Sequence, residues 1–316
     1  MNKYFITGVA GFIGSNFAKY ILENTDIKII GIDNFDDFYD KKIKLKNLEQ
    51  LHNNKNFVFY EADINDKSIL DLIADCNVVI HLAAKAGVRP SLINPINYAT
   101  TNINGTINLL NHAVKKNVEK FIFASSSSVY GINQNIPWKE DEYLLPISPY
   151  AATKLAGEMY GNVYSSLYGL QFISLRFFTV YGPGQRPDLA IHKFFKRIYN
   201  NECIELYGNG TTLRDYTYID DIVGGIVGAL VYNNKNFETF NLGNNRCVSL
   251  VQLIKKIEEI TGKKAKINFL PEQPGDVPIT YASILKAQNH LKYEPKTDID
   301  EGLVKFDAWF RNIYGV

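Results

Sequence analysis

Tyr150-Ala-Ala-Thr-Lys154 has the residue types and spacing to move a proton. On a helix, residues i and i+4 are neighbours, so Tyr150 and Lys154 would share a face. An ammonium beside a phenol favours the phenolate and lowers a Tyr pKa from about 10 towards neutral. A Tyr tuned in this way can take a proton from a sugar hydroxyl at physiological pH. The same spacing also occurs on ordinary helix surfaces, so the rest of the chain must decide between the two readings.

Two further groups of residues supply that context. Gly8, Gly11 and Gly14, with Phe12 and Ile13 between them, join a predicted strand at 4–7 to a predicted helix at 12–22. Glycines placed there let a pyrophosphate approach the backbone, and the helix N-terminus offers N–H groups and a favourable dipole. Asp33 ends the next apolar run, nineteen residues after Gly14. That is close to the roughly 20 expected for an acid gripping an adenosine ribose. A carboxylate there repels a 2′-phosphate, so NAD is expected rather than NADP. Asp63, which ends the third run, is a candidate partner for the adenine amine. The second group is Ser125-Ser126-Ser127-Ser128, directly after an apolar run at 120–124. Ligands of doubly wound sheets lie outside the carboxyl ends of the strands, so a hydroxyl from this run would meet a substrate.

The elements that must position these groups follow from periodicity. Short apolar runs at 4–7, 28–32, 57–60, 78–82, 120–124 and 171–178, with a weaker one at 239–242, read as strands. Amphipathic stretches at 68–74, 98–116, 151–167 and 221–232 separate them and read as helices. This alternation predicts βαβ units and an α/β fold built on a Rossmann-type, doubly wound parallel sheet. Residues 41–51 form a Lys-rich helical insertion whose charges read as a solvated face. From Pro183 onward Pro, Gly, Asn and Asp become frequent, which predicts a smaller C-terminal lobe of loops and short elements with helices near 251–260 and 301–311. The predicted division is residues 1–180 for the nucleotide-binding domain, with about 218–245 returning to it, and 181–316 mainly for the lobe.

Composition narrows the function classes. A chain of 316 residues can bury a sizeable core, and its net charge of +1 argues against a nucleic-acid or anionic-membrane surface. Cys76, Cys203 and Cys247 are few and widely spaced, without a metal-binding pattern, which suggests a reducing, cytoplasmic setting and no metal. No signal-peptide cleavage region is evident at the N-terminus, and no apolar run approaches the roughly 20 residues of a membrane span. The five histidines are scattered, and none is assigned to catalysis. His81, inside an apolar strand, reads as a satisfied core residue.

Taken together, these residues resemble the extended short-chain dehydrogenase/reductase family, and within it the NAD-dependent nucleotide-sugar 4-epimerases. The resemblance spans nearly the whole chain. It rests on the glycine loop, Asp33-Asn34, His81-Leu82-Ala83-Ala84, the serine run, Tyr150/Lys154 and Arg214-Asp215-Tyr216-Thr217-Tyr218-Ile219-Asp220-Asp221. It implies a bound NAD lined also by Asn34, Ile64, Leu82, Ala83 and Ala84, a C-terminal lobe that binds a UDP-sugar, and a homodimer packed through the helices at 98–116 and 151–167. Aligned on Val129-Tyr130-Gly131, the family's catalytic hydroxyl falls on Ser126. Arg89, Arg186 and Arg214 are candidates for the UDP phosphates, since guanidinium forks match phosphate oxygens. Asp276 is the candidate for the uridine ribose.

The resemblance also bears on the reaction. Relatives that dehydrate or decarboxylate carry an acid near Val-Tyr-Gly, where this chain has Ser126, Ser127 and Ser128, so simple epimerisation is favoured. Thr179 stands where hexose 4-epimerases have Asn. With Ala86-Gly87-Val88-Arg89 and Arg186-Pro187-Asp188, it makes the chain most similar to UDP-glucuronate 4-epimerases. Ser127, Ser128 and Thr179 could then ring a C6 carboxylate. UDP-glucose and UDP-N-acetylglucosamine 4-epimerases, a decarboxylase or dehydratase, and an inactive NAD-binding regulator remain as alternatives.

Overall fold

The computed structural model describes residues 2–67, 69–272 and 277–316. Ser68, where the predicted 68–74 helix begins, and Asp276 lie outside the described residues. The large sheet is made of β1 (Lys3–Thr7), β2 (Lys28–Asp33), β3 (Phe57–Glu61), β4 (Val78–His81), β5 (Lys120–Ser126), β6 (Gln171–Phe177) and, much later in the chain, Phe237–Leu242. Its spatial order is β3-β2-β1-β4-β5-β6 followed by that late strand, and every neighbouring pair is parallel. Parallel strands covered on both faces must be apolar throughout, and β4 and β5 are buried at every position.

Alternate residues of these strands serve opposite faces. Ile6, Ile80, Ile122 and Leu175 join one core, which continues into the C-terminal part of the chain. Phe5, Val79, Phe121, Phe123 and Phe172 pack on the other side with Leu109, Leu110 and Ala113. Strand order reverses between β1 and β4, which leaves a crevice at their carboxyl ends where ligands of such sheets bind.

The covering helices are α1 (Phe12–Asn24), α2 (Lys41–His52), α3 (Val88–Ile93), α4 (Pro95–Ala99), α5 (Gly105–Lys115) and α6 (Pro149–Tyr168). Local chemistry sets the ends of α6. Ser148 accepts from Ala151 N at 3.2 Å, Pro149 occupies the first turn, and Gly169 ends the helix in the left-handed region at φ +71°. The predicted 98–116 helix is not uniform, because a π-helical turn at Thr100–Asn104 joins α4 to α5. The turn holds buried Asn102, which accepts from Lys85 N and donates to Lys85 O and to Thr153 Oγ1. It thereby ties the loop after β4 to α6, and periodicity carries no sign of that tie.

The later chain runs β7 (Thr179–Tyr181), α7 (Ala190–Tyr199), β8 (Cys203–Tyr207), β9 (Leu213–Tyr218), α8 (Ile219–Val231), β10 (Phe237–Leu242), β11 (Cys247–Ser249), α9 (Leu250–Thr261), β12 (Lys266–Leu270), α10 (Leu285–Leu291) and α11 (Ile299–Tyr314). Strand β10 is the seventh member of the large sheet, while the others form the small sheets β11-β9-β7 and β12-β8. Asp215 anchors this region. Fully buried, it accepts from the backbone N–H groups of Asn244 at 2.7 Å and of Asn245 and Ala282 at 3.1 Å. Burial still pushes its carboxyl up to about 6.

Candidate active site

The loop after β1 explains its own glycines. Gly8 has φ +69°, and a Cβ on it would lie 2.8 Å from Ala83 N, while one on Gly14 would lie 2.3 Å from Gly8 O. The result is a cradle without side chains at the N-terminus of α1, as a pyrophosphate requires. It opens into a cavity of about 480 Å³. Gly8, Gly11, Phe12, Ile13, Gly14, Asp33, Asn34, Asp63, Ile64, Leu82, Ala83 and Ala84 all line that cavity, and so do Ser126, Ser127, Ser128, Tyr150, Lys154, Thr179 and Arg186. Segments up to about 180 residues apart in sequence therefore face one space.

At one end stand the carboxylates. Asp33 Oδ1 accepts from Phe35 N at 2.9 Å and from Lys44 Nζ at 3.0 Å, which leaves Oδ2 for a further donor such as a ribose hydroxyl. The cradle and this acid fit a dinucleotide. Asp63 accepts from Asn34 Nδ2 at 2.7 Å and from Asn65 N at 2.7 Å. Lys44 belongs to the Lys-rich helix read from sequence as a solvated face, yet it is buried against Asp33. Its partner lies on another element, so no local pattern marks it. Lys85, also not singled out by sequence, pairs across the cavity with Asp36 at 2.6 Å.

At the other end stand hydroxyls. Ser126 ends β5, and its Oγ lies 3.1 Å from both Ser128 Oγ and Ser128 N. Tyr150 is in the first turn of α6, with its ring edge-on to Tyr98 at 6.4 Å. Burial pushes the Tyr150 phenol above its ordinary value, while the Ser126 hydroxyl and then the Arg186 guanidinium pull it back. Lys154 does not acidify this phenol as the i,i+4 spacing predicts. Lys154 Nζ lies 6.0 Å from the Tyr150 ring centre and donates instead to Ala124 O at 2.7 Å. Burial pushes Lys154 itself down to about 7, with Glu158 opposing the shift. An i,i+4 spacing placed the two residues on one face but did not fix where the ammonium points.

Arg186 reaches this end with its fork on Asp188, Nε to Oδ1 and Nη2 to Oδ2, both at 2.9 Å. Arg89 and Arg214 do not line the cavity. The Arg89 guanidinium lies 4.4 Å from the Tyr207 ring centre, and Arg214 Nη1 donates to Leu213 O at 2.9 Å. His81 is a core residue as expected, with its ring nitrogens 2.8 Å from Thr7 Oγ1 and 2.9 Å from Thr106 Oγ1, and burial pushes it down to about 3. Among the described residues no group of His, Cys, Asp and Glu could hold a metal ion.

Comparison with known proteins gives this geometry a family. The GDP-mannose 4,6 dehydratase family matches residues 5–306. An uncharacterized protein of Methanocaldococcus jannaschii is 46% identical over 310 residues, which cover 96% of this chain and 95% of that protein. A UDP-glucuronate 4-epimerase of Thermodesulfobacterium geofontis is 42% identical, covering 98% and 96% respectively. The crystal structure of UDP-glucuronic acid 4-epimerase from Bacillus cereus, in complex with UDP-glucuronic acid and NAD, superposes with a TM-score of 0.94. It is 38% identical, with 99% of this chain and 100% of that chain covered.

The Asp33–Lys44 pair leads to a first prediction. Replacing Asp33→Ser removes the ribose acceptor and frees the Lys44 ammonium for a 2′-phosphate. NAD affinity should fall about tenfold or more, the loss of one charge-assisted hydrogen bond, while preference over NADP disappears. Calorimetric titration with both dinucleotides measures this, and unchanged NAD affinity would refute the assignment.

Proposed function

The chain belongs to the extended short-chain dehydrogenase/reductases, in the family of GDP-mannose 4,6 dehydratase, and on that premise we propose that it epimerises a UDP-sugar at C4, with UDP-glucuronate and UDP-galacturonate as the interconverted pair. The observation that carries the proposal is one shared cavity. The glycine cradle and Asp33 line it together with Ser126, Tyr150 and Lys154. NAD would be held by Gly8, Gly11, Gly14, Asp33 and Lys154, and when bound it accepts a hydride from C4 and returns it.

The chain's own residues do the rest. Tyr150 takes the O4 proton while Ser126 donates a hydrogen bond to the same oxygen, and Tyr150 returns that proton after the 4-keto sugar has turned over. Ser127, Ser128 and Thr179 offer short hydroxyl donors to the C6 carboxylate. A 4-keto uronate is a β-keto acid that loses CO₂ when its carboxylate stands perpendicular to the ring carbonyl, so donors that hold the carboxylate in one orientation suppress that loss. Asp33, Asp36 and Asp63 are the only carboxylates lining the cavity among the described residues, and Asp36 is paired with Lys85. None of the three stands with the hydroxyls, where a dehydration would need an acid or base at C5 or C6. Arg186 and Arg214 remain the candidates for the UDP phosphates.

The working unit is a homodimer in the cytoplasm, where Cys76, Cys203 and Cys247 stay as thiols. Support for the dimer comes from α6, where Met159, Val163 and Leu167 repeat every four residues and are 48%, 48% and 68% exposed. No helix among the described residues is long and apolar enough to cross a membrane.

Three measurements test this reading. Incubation with each UDP-sugar separately, followed by NMR of the C4 epimer, should show UDP-galacturonate from UDP-glucuronate without CO₂; CO₂ release or net NADH would overturn the epimerase assignment. Thr179→Ala should reduce turnover of UDP-glucuronate more than that of UDP-glucose, and equal losses would remove Thr179 from substrate selection. Val163→Glu should shift the sedimenting species from twice the chain mass to once; a wild-type monomer would refute the dimer.

A further inference from the structure

Three consecutive residues at the carboxyl end of β5 are each tied to α6. Ala124 O accepts from Lys154, the Ser125 hydroxyl donates to Glu158 Oε1, and Ser126 approaches Tyr150. The middle tie has no part in the chemistry proposed above, yet it is the most elaborate. Glu158 is 1% exposed and takes both prongs of Arg176, Nε to Oε1 at 3.0 Å and Nη2 to Oε2 at 2.8 Å. Arg176 lies on β6 directly opposite Ser125 in the sheet register. It is fixed in turn by Tyr130 Oη at 2.9 Å and Glu140 O at 3.1 Å. A buried fork of this kind adds little net stability over apolar packing, so its presence here needs another account.

The geometry supplies one. Glu158 is one helical turn beyond Lys154, which is one turn beyond Tyr150, so the three share the face of α6 turned to β5. Facing Lys154 are Tyr150 and Glu158 from α6, His81 from β4, held neutral by burial, and Arg176 from β6 behind Glu158. Glu158 is the anion in this set.

Building on the epimerase reading, we propose that Glu158 is a positioning residue for the proton-transfer centre: clamped by Arg176 and Ser125, it sets the seat of α6 on β5 and holds Lys154 as an ammonium. Lys154 in turn must be cationic to hold an anionic or hydroxyl-rich partner.

The test reads the lysine directly. Lys154 would be titrated in the free protein by amine-reactive pulse labelling and peptide mass spectrometry, in wild type, Glu158→Gln and Glu158→Gln/Arg176→Met. The double variant leaves no unpaired buried charge should the single one fail to fold. Without the carboxylate, the midpoint for Lys154 should drop by about one unit, as for loss of a nearby opposite charge. In the C4-epimerisation assay the alkaline limb of kcat should move to lower pH by a similar amount, with KM for the UDP-sugar unchanged. A Lys154 midpoint and alkaline limb that both match wild type would overturn the proposal, as would a loss expressed only in KM. The labelling experiment needs no turnover, so its outcome is separable from that of the epimerase assay.

Discussion

Lys154 gives up its water to lie against the end of β5, with its ammonium on Ala124 O and 5.1 Å from the Phe123 ring centre. Burying a cation in such surroundings is unfavourable unless its hydrogen bonds and countercharge are supplied. The carbonyl belongs to a strand of the sheet, and the carboxylate, on α6 itself, is anchored to the next strand through Arg176. The position of α6 over β5 therefore decides whether Lys154 is charged, where Tyr150 stands and how far Ser126 is from it. Most of the remaining architecture can be read as keeping that one seat constant. Ser148 and Gly169 set the ends of the helix, and Asn102 in the π turn holds Thr153, between Tyr150 and Lys154 in sequence.

The cavity changes chemical character along its length. Charged side chains gather where β2 and β3 end, and they are balanced in place, Asp33 by Lys44 and Asp36 by Lys85. Hydroxyls gather where β5 ends and β7 begins, beside Lys154 and the Asp188-paired Arg186. A neutral donor set can orient an anionic group without a fixed countercharge, so the group stays free to leave that pose when the sugar turns. A permanent ion pair would hold one pose too tightly for an enzyme that must present both faces of the same carbon.

What was legible in the sequence was what is local. The glycine loop, Asp33 at its set distance, the hydroxyls after β5 and the Tyr–Lys spacing each draw their meaning from a short stretch or a fixed offset, and the α/β alternation followed from periodicity. Features that depend on a partner elsewhere in the fold were hidden. Lys44 looked like one of several surface lysines until α2 was placed beside β2. The Glu158–Arg176 fork joins α6 to β6 across eighteen residues with no motif to announce it. The strands β8, β9, β11 and β12 are short and lie among turn residues, so their apolar content never built a readable period. The acidity of Tyr150 is hidden for a related reason: sequence spacing places side chains on a face but does not say what burial does to them.

The environment of Tyr150 bears on the mechanism. A phenol made strongly acidic would release its proton readily but would be slow to give it back, whereas an epimerase must do both at one oxygen with comparable ease. Proton transfer in each direction is favoured when the group's pKa lies near the working pH and is close to balance with its partner. In this structure burial pushes Tyr150 up while Ser126 and Arg186 pull it down, and the pull of Arg186 is itself tempered by its fork on Asp188. The net displacement is upward, so in the free protein the phenol holds its proton, and a cation brought close to it would ease its release.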